Sequence, residues 1–102
     1  MGVPRQEMEV LAEGREKVAE PPMFKVLLHN DDYTTMEFVV MILETVFHKS
    51  AVEATKIMLN VHNNGTGVAG VYTREVAETK IALVHGIAQQ YEHPLQCSME
   101  PV

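Results

Sequence analysis

Apolar residues recur in separate blocks along this chain, and their spacing predicts alternating strands and helices. The run Phe24–His29, "FKVLLH", is short and rich in large apolar residues, which is typical of a strand. From about residue 34 to residue 47 apolar side chains return every three or four positions, as on a helix. Because apolar positions are so frequent there, we expect this helix to be covered on more than one side. A capping box, Thr34-x-x-Glu37, marks its predicted start.

A second helix is predicted over residues 51–62. Ser50-x-x-Glu53 forms another capping box at its start, and the stretch "HNNGTG" signals its end. The glycines of that stretch are part of a G-x-G-x-x-G pattern at residues 65–70. A dinucleotide fingerprint needs a strand before it and a helix after it, whereas the order here is reversed. These glycines therefore predict a helix C-cap and a tight turn.

The remaining pattern completes a small α+β fold. Residues 67–73 are predicted to form a strand, and Thr73 can cap a third helix that ends before His93-Pro94. Residues 95–99 are predicted to form the last strand. The order β-α-α-β-α-β predicts a three-stranded antiparallel sheet with three helices packed on one face.

Residues 1–22 have a different character from the rest of the chain. They are charged, contain a glycine at position 14 and end in Pro21-Pro22. Such a segment has too few apolar residues to dock firmly, and the proline pair stiffens its junction with the folded part. The sequence therefore predicts a flexible N-terminal arm over residues 1–22 and one folded domain over residues 23–102.

Composition and charge exclude several classes of function. The net charge is −6, and the 8 Lys and Arg residues form no block, so a nucleic-acid partner is not expected. An acidic surface favours cationic partners. The one cysteine, Cys97, allows neither an internal disulfide nor a paired-cysteine metal site. The longest apolar run, Phe38–Leu43, is far too short for a membrane span, and no signal-peptide pattern is present, so we expect a cytoplasmic protein.

The polar stretch "NDD", residues 30–32, lies between two core-forming segments and needs an explanation. Consecutive helices joined by a short loop usually pack antiparallel, so the start of the first helix should lie near His62 at the end of the second. Met36, Val39 and Met58 should be nearby. The expected result is a group of polar acceptors beside an apolar pocket.

Such a pocket suits an amine that carries an apolar side chain. An ammonium group has three donors and no acceptor, and amide oxygen, carboxylate and neutral imidazole can all accept from it. A free peptide N-terminus is a ligand of this kind. If neutral His62 accepts from the amine, binding should weaken on acidification through the range in which histidine titrates, around ~6.5.

Other interpretations of these residues remain open. Asn and Asp favour turns because their side chains bond to nearby amides, and a histidine in a last helical turn complements the helix C-terminus. A metal-dependent hydrolase using His29, Asp31, Asp32 and His62 is a further alternative. No HExxH motif, EF-hand loop or paired-cysteine spacing accompanies them, so no metal site is expected.

Four segments together resemble a known family. "VLLHNDDYTTMEFVV", "ATKIMLNVH", "GVYTREVAETK" and "EHPLQC" are similar, in order and spacing, to ClpS proteins, from about Pro22 to the end of the chain. The resemblance implies a non-enzymatic adaptor without a cofactor. It would bind proteins with an N-terminal Leu, Phe, Tyr or Trp (N-degrons) and deliver them to a Clp AAA+ unfoldase of ClpA or ClpC type. The alternative is a regulator that docks on the unfoldase without recognising N-termini.

The resemblance also implies roles for particular residues. Asn30, Asp32 and His62 would hold the substrate's α-amino group, and Asp31 would add negative potential. The side-chain pocket would be lined by Thr34, Met36, Val39, Met58, Val61 and Leu95, with Met36 as a gate against β-branched N-terminal residues. Glu75 and Lys80 would dock the N-terminal domain of the unfoldase, and the arm would help to hand over the substrate. Thr35 departs from the family, which usually has Pro there. We expect position 35 to be the first helical residue, and the loss of Pro to loosen the pocket rim slightly.

Overall fold

The computed structural model of the chain describes residues 20–102. Most of the predicted N-terminal arm, residues 1–19, lies outside the described residues, so the arm stays a prediction. The elements in chain order are β1 (Met23–His29), α1 (Met36–Thr45), α2 (Ala51–Asn64), β2 (Thr66–Thr73), α3 (Arg74–Gln90) and β3 (Gln96–Pro101). The predicted order and number of elements are confirmed.

The three strands form one antiparallel sheet in the order β2-β1-β3. Leu27 of the central strand lies opposite Val68 on one side and Ser98 on the other, and the register with β2 slips between Val26 and Leu27. The first strand of the sequence is thus the middle strand of the sheet. This position places the turn after β1 at the centre of one end of the domain.

The core lies between one face of this sheet and the helices. Phe24, Val26 and Leu28 of β1 point into it in the alternating pattern of a strand that is covered on one face. In α1 the buried residues Phe38, Val39, Ile42 and Leu43 lie on one broad face, and Val40 and Met41 beside it are only half-buried, so the helix is covered mainly on one side and not on several as expected. The two largest fully buried side chains of this helix are Ile42 and Leu43. Together these side chains join α1 to the common core, in which it packs mainly against α2.

The start of α1 differs by one residue from the sequence prediction. Thr35, not Thr34, is the N-cap, and its side-chain oxygen accepts from the amide of Phe38 at 3.1 Å. The hydroxyl of Thr34 instead donates to the carboxylate of Asp31 at 2.7 Å. Thr34 therefore closes the preceding turn, and its neighbour is left to cap the helix.

Both predicted ends of α2 have a clear structural basis. The side chain of Ser50 accepts from the amide of Glu53 at 3.2 Å, which confirms the N-cap. Gly65 ends the helix in the left-handed region with φ 89°, where glycine meets no steric penalty. At Gly67, a Cβ would come within 2.7 Å of Val61 Cγ2. Glycine at this position therefore lets β2 pass directly against α2.

The third helix begins after Thr73, as predicted, but without the expected cap. Thr73 occupies the N-cap position, yet its side chain makes no capping hydrogen bond. The helix ends at Gln90, before His93-Pro94, and the chain turns there through Glu92 at φ 61°. Among the described residues, no helix is long and apolar enough to cross a membrane.

Candidate functional site

A cavity of about 530 Å³ opens beside the turn between β1 and α1 and is closed on its other side by α2. Its polar lining combines the "NDD" turn with the last turn of α2. The residues that line it are Asn30, Asp31, Asp32, Tyr33, Thr34, Thr35, Met36, Glu37, Val39, Met58, Val61 and His62. The structure thus brings together all four residues assigned from the sequence to the α-amino group.

Backbone hydrogen bonds hold the two polar segments of the cavity next to each other. The amide of Asn30 donates to the carbonyl of Gly65 at 2.8 Å, and the amide of Gly65 donates to the carbonyl of Val61 at 3.0 Å. The end of β1 is therefore bonded to the residue that ends α2. Because His62 lies in the last turn of α2, it faces the same opening as Asn30.

Asp31 organises the turn from within. One carboxylate oxygen accepts from the amides of Tyr33 (2.8 Å) and Thr34 (2.6 Å), and the other accepts from the Thr34 hydroxyl. Partial burial acts to raise the pKa of Asp31. The bonds from Thr34 and Tyr33, and the charge of His93, outweigh this effect and lower the pKa. Asp31 thus fixes the turn as a carboxylate, whereas Asp32 is exposed at the cavity.

His93 reaches this site from a distant part of the chain. Its ring lies 4.3 Å, centroid to centroid, from the ring of Phe38 in the first turns of α1, and Tyr91 lies 5.8 Å from the same ring. The segment after α3 therefore covers the start of α1. Sequence reasoning assigned no role to His93, because only the tertiary fold brings it near Asp31.

The apolar part of the cavity is formed by α1 and α2. Val39 and Val61 are 6% and 2% exposed, and Met58 is half-buried. Met36 lies at the rim in the first turn of α1 and is 41% exposed. A flexible methionine at the rim can adapt to the shape of a bound side chain. The cavity is accordingly polar at one end and apolar at the other.

Position 35 is not the first helical residue, as we expected, but the N-cap. Its φ of −72° is one that proline also adopts, so a family member with Pro can keep the same backbone angle. In this chain the Thr35 hydroxyl bonds to the amide of Phe38, which proline cannot do. The threonine therefore gives the rim a capping bond in place of a fixed ring.

Leu95 is the one residue of the predicted side-chain pocket that does not line this cavity. It is 2% exposed and lines a separate cavity of about 230 Å³, together with His85, Ala88, Gln89, His93, Pro94 and Gln96. Next to this second cavity, the amide of Cys97 donates to His85 Nε2 at 3.1 Å. Leu95 does not belong to the lining of the larger cavity.

The structure also separates the residues of the metal-site alternative. His29 is hydrogen-bonded through Nε2 to Ser98 Oγ at 2.6 Å and does not line the cavity that contains Asp31, Asp32 and His62. Within residues 20–102, no group of three or more His, Cys, Asp or Glu side chains is placed to hold a metal ion.

Three further residues line the cavity: Thr35, which the sequence reasoning placed only at the rim, and Tyr33 and Glu37, to which it gave no place in the site. Tyr33 is 79% exposed, and Glu37 lies in the first turn of α1. Asp31, Asp32 and Glu37 give the lining three carboxylates, and no Lys or Arg is among the lining residues. The cavity therefore favours a cationic group. Tyr33 directly follows "NDD", and Glu37 follows Met36 in the first turn of the predicted helix; these positions are the signals that could have identified both.

The two residues expected to dock a partner lie together on α3. Glu75 and Lys80 line a shallow cavity of about 340 Å³ with Val76, Thr79 and Leu83. Val76 and Leu83 are 44% and 49% exposed. This face of α3, called the α3 face below, combines exposed apolar side chains with one carboxylate and one ammonium group.

Fold and cavity together define a small α+β domain with an open binding cavity that is polar at one end and apolar at the other. A family model described as "ATP-dependent Clp protease adaptor protein ClpS" matches residues 19–98. Because this match spans most of the sequence, the chain belongs to the ClpS family.

Individual relatives agree with this assignment. The chain is 69% identical over 93 residues to the ATP-dependent Clp protease adapter protein ClpS of Desulfatibacillum aliphaticivorans, covering 91% of this chain and 89% of that protein. It is 58% identical over 96 residues to the ClpS of Syntrophus aciditrophicus, covering 94% and 90%. ClpS proteins are named as adaptors of a protease, so the chain is an adaptor and not an enzyme.

A solved structure with the same fold is that of a relative in complex with a small ligand. Agrobacterium tumefaciens ClpS2 bound to L-phenylalaninamide superimposes with a TM-score of 0.78 at 36% identity, covering 81% of this chain and all of that chain. L-Phenylalaninamide has a free α-amino group next to an aromatic side chain. The relative therefore binds a molecule of the chemical kind that the cavity described above would suit.

Proposed function

We propose that this chain binds polypeptides by their free N-terminal α-amino group and delivers them to the unfoldase of the Clp protease. The observation that carries this proposal is the shared cavity, in which Asn30, Asp32 and His62 provide acceptors beside an apolar surface. Charge-assisted hydrogen bonds contribute roughly 1.5–3 kcal/mol each, and burial of a large apolar side chain contributes about as much again. An N-terminal residue can make both kinds of contact at once.

The apolar half of the cavity supports a preference for N-terminal Leu, Phe, Tyr and Trp. These side chains would pack on Val39, Met58 and Val61, and Thr34 would lie beside them. Met36 at the rim would disfavour residues that branch at Cβ, because such residues carry their bulk close to the backbone. The aromatic ligand of the A. tumefaciens relative supports the same preference.

The partner in this proposal is the N-terminal domain of a Clp AAA+ unfoldase of ClpA or ClpC type. The two proteins would interact in the cytoplasm. The α3 face, with Glu75 and Lys80, would be the docking surface. It lies on a different element from the cavity-lining helices α1 and α2, so substrate and unfoldase could bind together. Simultaneous binding is what delivery requires.

Fluorescence anisotropy with labelled peptides tests the proposed recognition. A peptide that begins with Leu should bind with micromolar or lower Kd. The same peptide acetylated at its N-terminus should not bind, and one beginning with Ile should bind more weakly. Asp32→Asn keeps the size of an exposed side chain but removes its charge, and should raise Kd about tenfold or more, in line with a charge-assisted bond.

Two outcomes would count against the proposal. Equal binding of the free and acetylated peptides would show that the cavity does not recognise the α-amino group. Absence of all peptide binding, while the chain still binds the unfoldase, would favour the regulator that docks without recognising N-termini.

A further inference from the structure

One cation of the α3 face is already engaged inside the domain. Lys80 Nζ donates to the carbonyl oxygen of Val46 at 2.7 Å. The same Nζ lies 5.2 Å from the ring centroid of Tyr72 and 5.7 Å from that of Phe47. A carbonyl oxygen and two aromatic rings stabilise an ammonium group by hydrogen bonding and by cation–π attraction. Lys80 is therefore held in place without any partner.

The acceptor of this bond is the end of the helix that carries the cavity rim. Val46 is the C-cap residue of α1. The last carbonyls of a helix lack intrahelical donors, and its C-terminus favours a positive charge. The last turn of α1 contains no basic residue, and it includes Glu44. Lys80 supplies from α3 the positive charge that the end of α1 lacks.

The other end of α1 is also in contact with residues that come after α3. Phe38, in the first turns of α1, packs on the rings of Tyr91 and His93. Elsewhere α1 packs mainly against α2, whereas α3 packs against the three strands. The bond from Lys80 and the aromatic contacts of Phe38 thus connect α1 at both ends to α3 and the turn after it.

We propose that Lys80 is a positioning residue for peptide binding: by holding the C-terminal end of α1 it sets the position of Met36 and Val39 at the cavity. This inference rests on the proposed function for what the cavity binds. Lys80 contacts no peptide, and its effect on the cavity passes through α1. A role in docking the unfoldase is compatible with this one but does not account for the bond to Val46.

The test compares Lys80→Met, which keeps most of the aliphatic stem, with Lys80→Arg, which keeps the charge. Lys56→Met, at an exposed lysine of α2, is the matched control. With no unfoldase present, Lys80→Met should raise the Kd of a Leu-initiated peptide by about 3- to 10-fold. It should lower Tm by about 4–8 °C and accelerate hydrogen exchange at the amides of Val46 and Lys49, which donate to Ile42 and Leu43. Lys80→Arg should recover most of the affinity, and Lys56→Met should change none of these values.

Two results would overturn the inference. If Lys80→Met weakens binding to the unfoldase but leaves peptide Kd, Tm and exchange unchanged, Lys80 is a partner contact alone. If Tm falls while peptide Kd at 25 °C stays the same, the bond stabilises the fold without positioning the cavity.

Failure of the proposed function would give a different pattern. The wild-type chain would then bind no peptide. The role of Lys80 would be tested instead by amide hydrogen exchange and by the NMR shifts of Met36 and Val39. Perturbation of those shifts in Lys80→Met, and not in Lys56→Met, would support the positioning role. Unperturbed shifts would overturn it.

Discussion

The backbone amide of Asn30 donates to the carbonyl oxygen of Gly65 across 2.8 Å, and this bond joins the two halves of the cavity's polar end. Asn30 is the first residue after the central strand β1. Gly65 is the C-cap of α2, the helix that carries His62. The left-handed backbone of Gly65 makes the geometry possible. The glycine that ends α2 is thus also the residue that bonds this helix to the end of β1.

Replacing this glycine should cost stability through the backbone alone. A Cβ at Gly65 would meet nothing within 4 Å, but its φ is 89°, so Gly65→Ala should destabilise the domain by roughly 1–2 kcal/mol. Gly86 is a matched control inside α3, also with nothing within 4 Å of an added Cβ. Because its φ is helical, Gly86→Ala should stabilise by about 0.5–1 kcal/mol. Urea unfolding measures both, and changes of the same sign would contradict this account.

The capping bond of Thr35 should be measurable in the same way. Thr35→Ala removes the acceptor for the Phe38 amide and should destabilise the domain by about 1 kcal/mol, whereas Thr35→Ser should keep most of the bond. If the alanine variant is as stable as wild type and Thr34→Ala is the costly one, the cap is at position 34 as the sequence suggested.

Asp31 should hold its turn at all but strongly acidic pH. Its pKa is lowered in the folded chain, so its stabilising contribution is present above the unfolded value of about 3.9 and is lost as pH falls through the lower, folded value. The NMR shifts of the Tyr33 and Thr34 amides should therefore stay constant from pH 7 to pH 5 and change only below about pH 4. Asp31→Asn should show no such transition. A transition near neutral pH would contradict the assignment.

Cys97 should make the fold less stable in alkali. Burial raises the pKa of its thiol to about 12, well above the unfolded value of about 8.5. Above that unfolded value the unfolded chain releases a proton that the folded chain keeps, so stability falls as pH rises, by at most about 1.4 kcal/mol per pH unit. Urea unfolding of wild type and Cys97→Ala at pH 8 and pH 10 isolates this effect. A constant difference between the two proteins would contradict it.

The sequence predicts the order of elements because the spacing of apolar residues differs clearly between the strands and the helices. It also places Asn30 near His62, since consecutive helices with a short connection pack antiparallel. It places the cap at Thr34, one residue too early, because the hydrogen bond from the Thr34 hydroxyl to Asp31 depends on the shape of the turn and cannot be read from the pattern.

Contacts between residues far apart in the chain could not be predicted from the sequence for a different reason. The contact of His93 with Phe38 and the bond from Lys80 to Val46 join residues that are far apart in the chain. Leu95 follows His93 and Pro94, and after that turn it lines the smaller cavity beside α3. Local patterns carry no information on such contacts, which only packing of the whole domain establishes.

The most direct test of the central claim is an NMR titration with two ligands that differ only at the amine. L-Phenylalaninamide should shift the amides of Asn30, Asp32 and His62 in the cavity, and also those of Met36 and Val39. N-Acetyl-L-phenylalaninamide, which keeps the side chain but lacks the ammonium group, should cause no shifts at the same concentrations. Equal shifts with both ligands, or shifts at residues outside the cavity, would contradict the conclusion that the "NDD" turn and His62 receive an α-amino group.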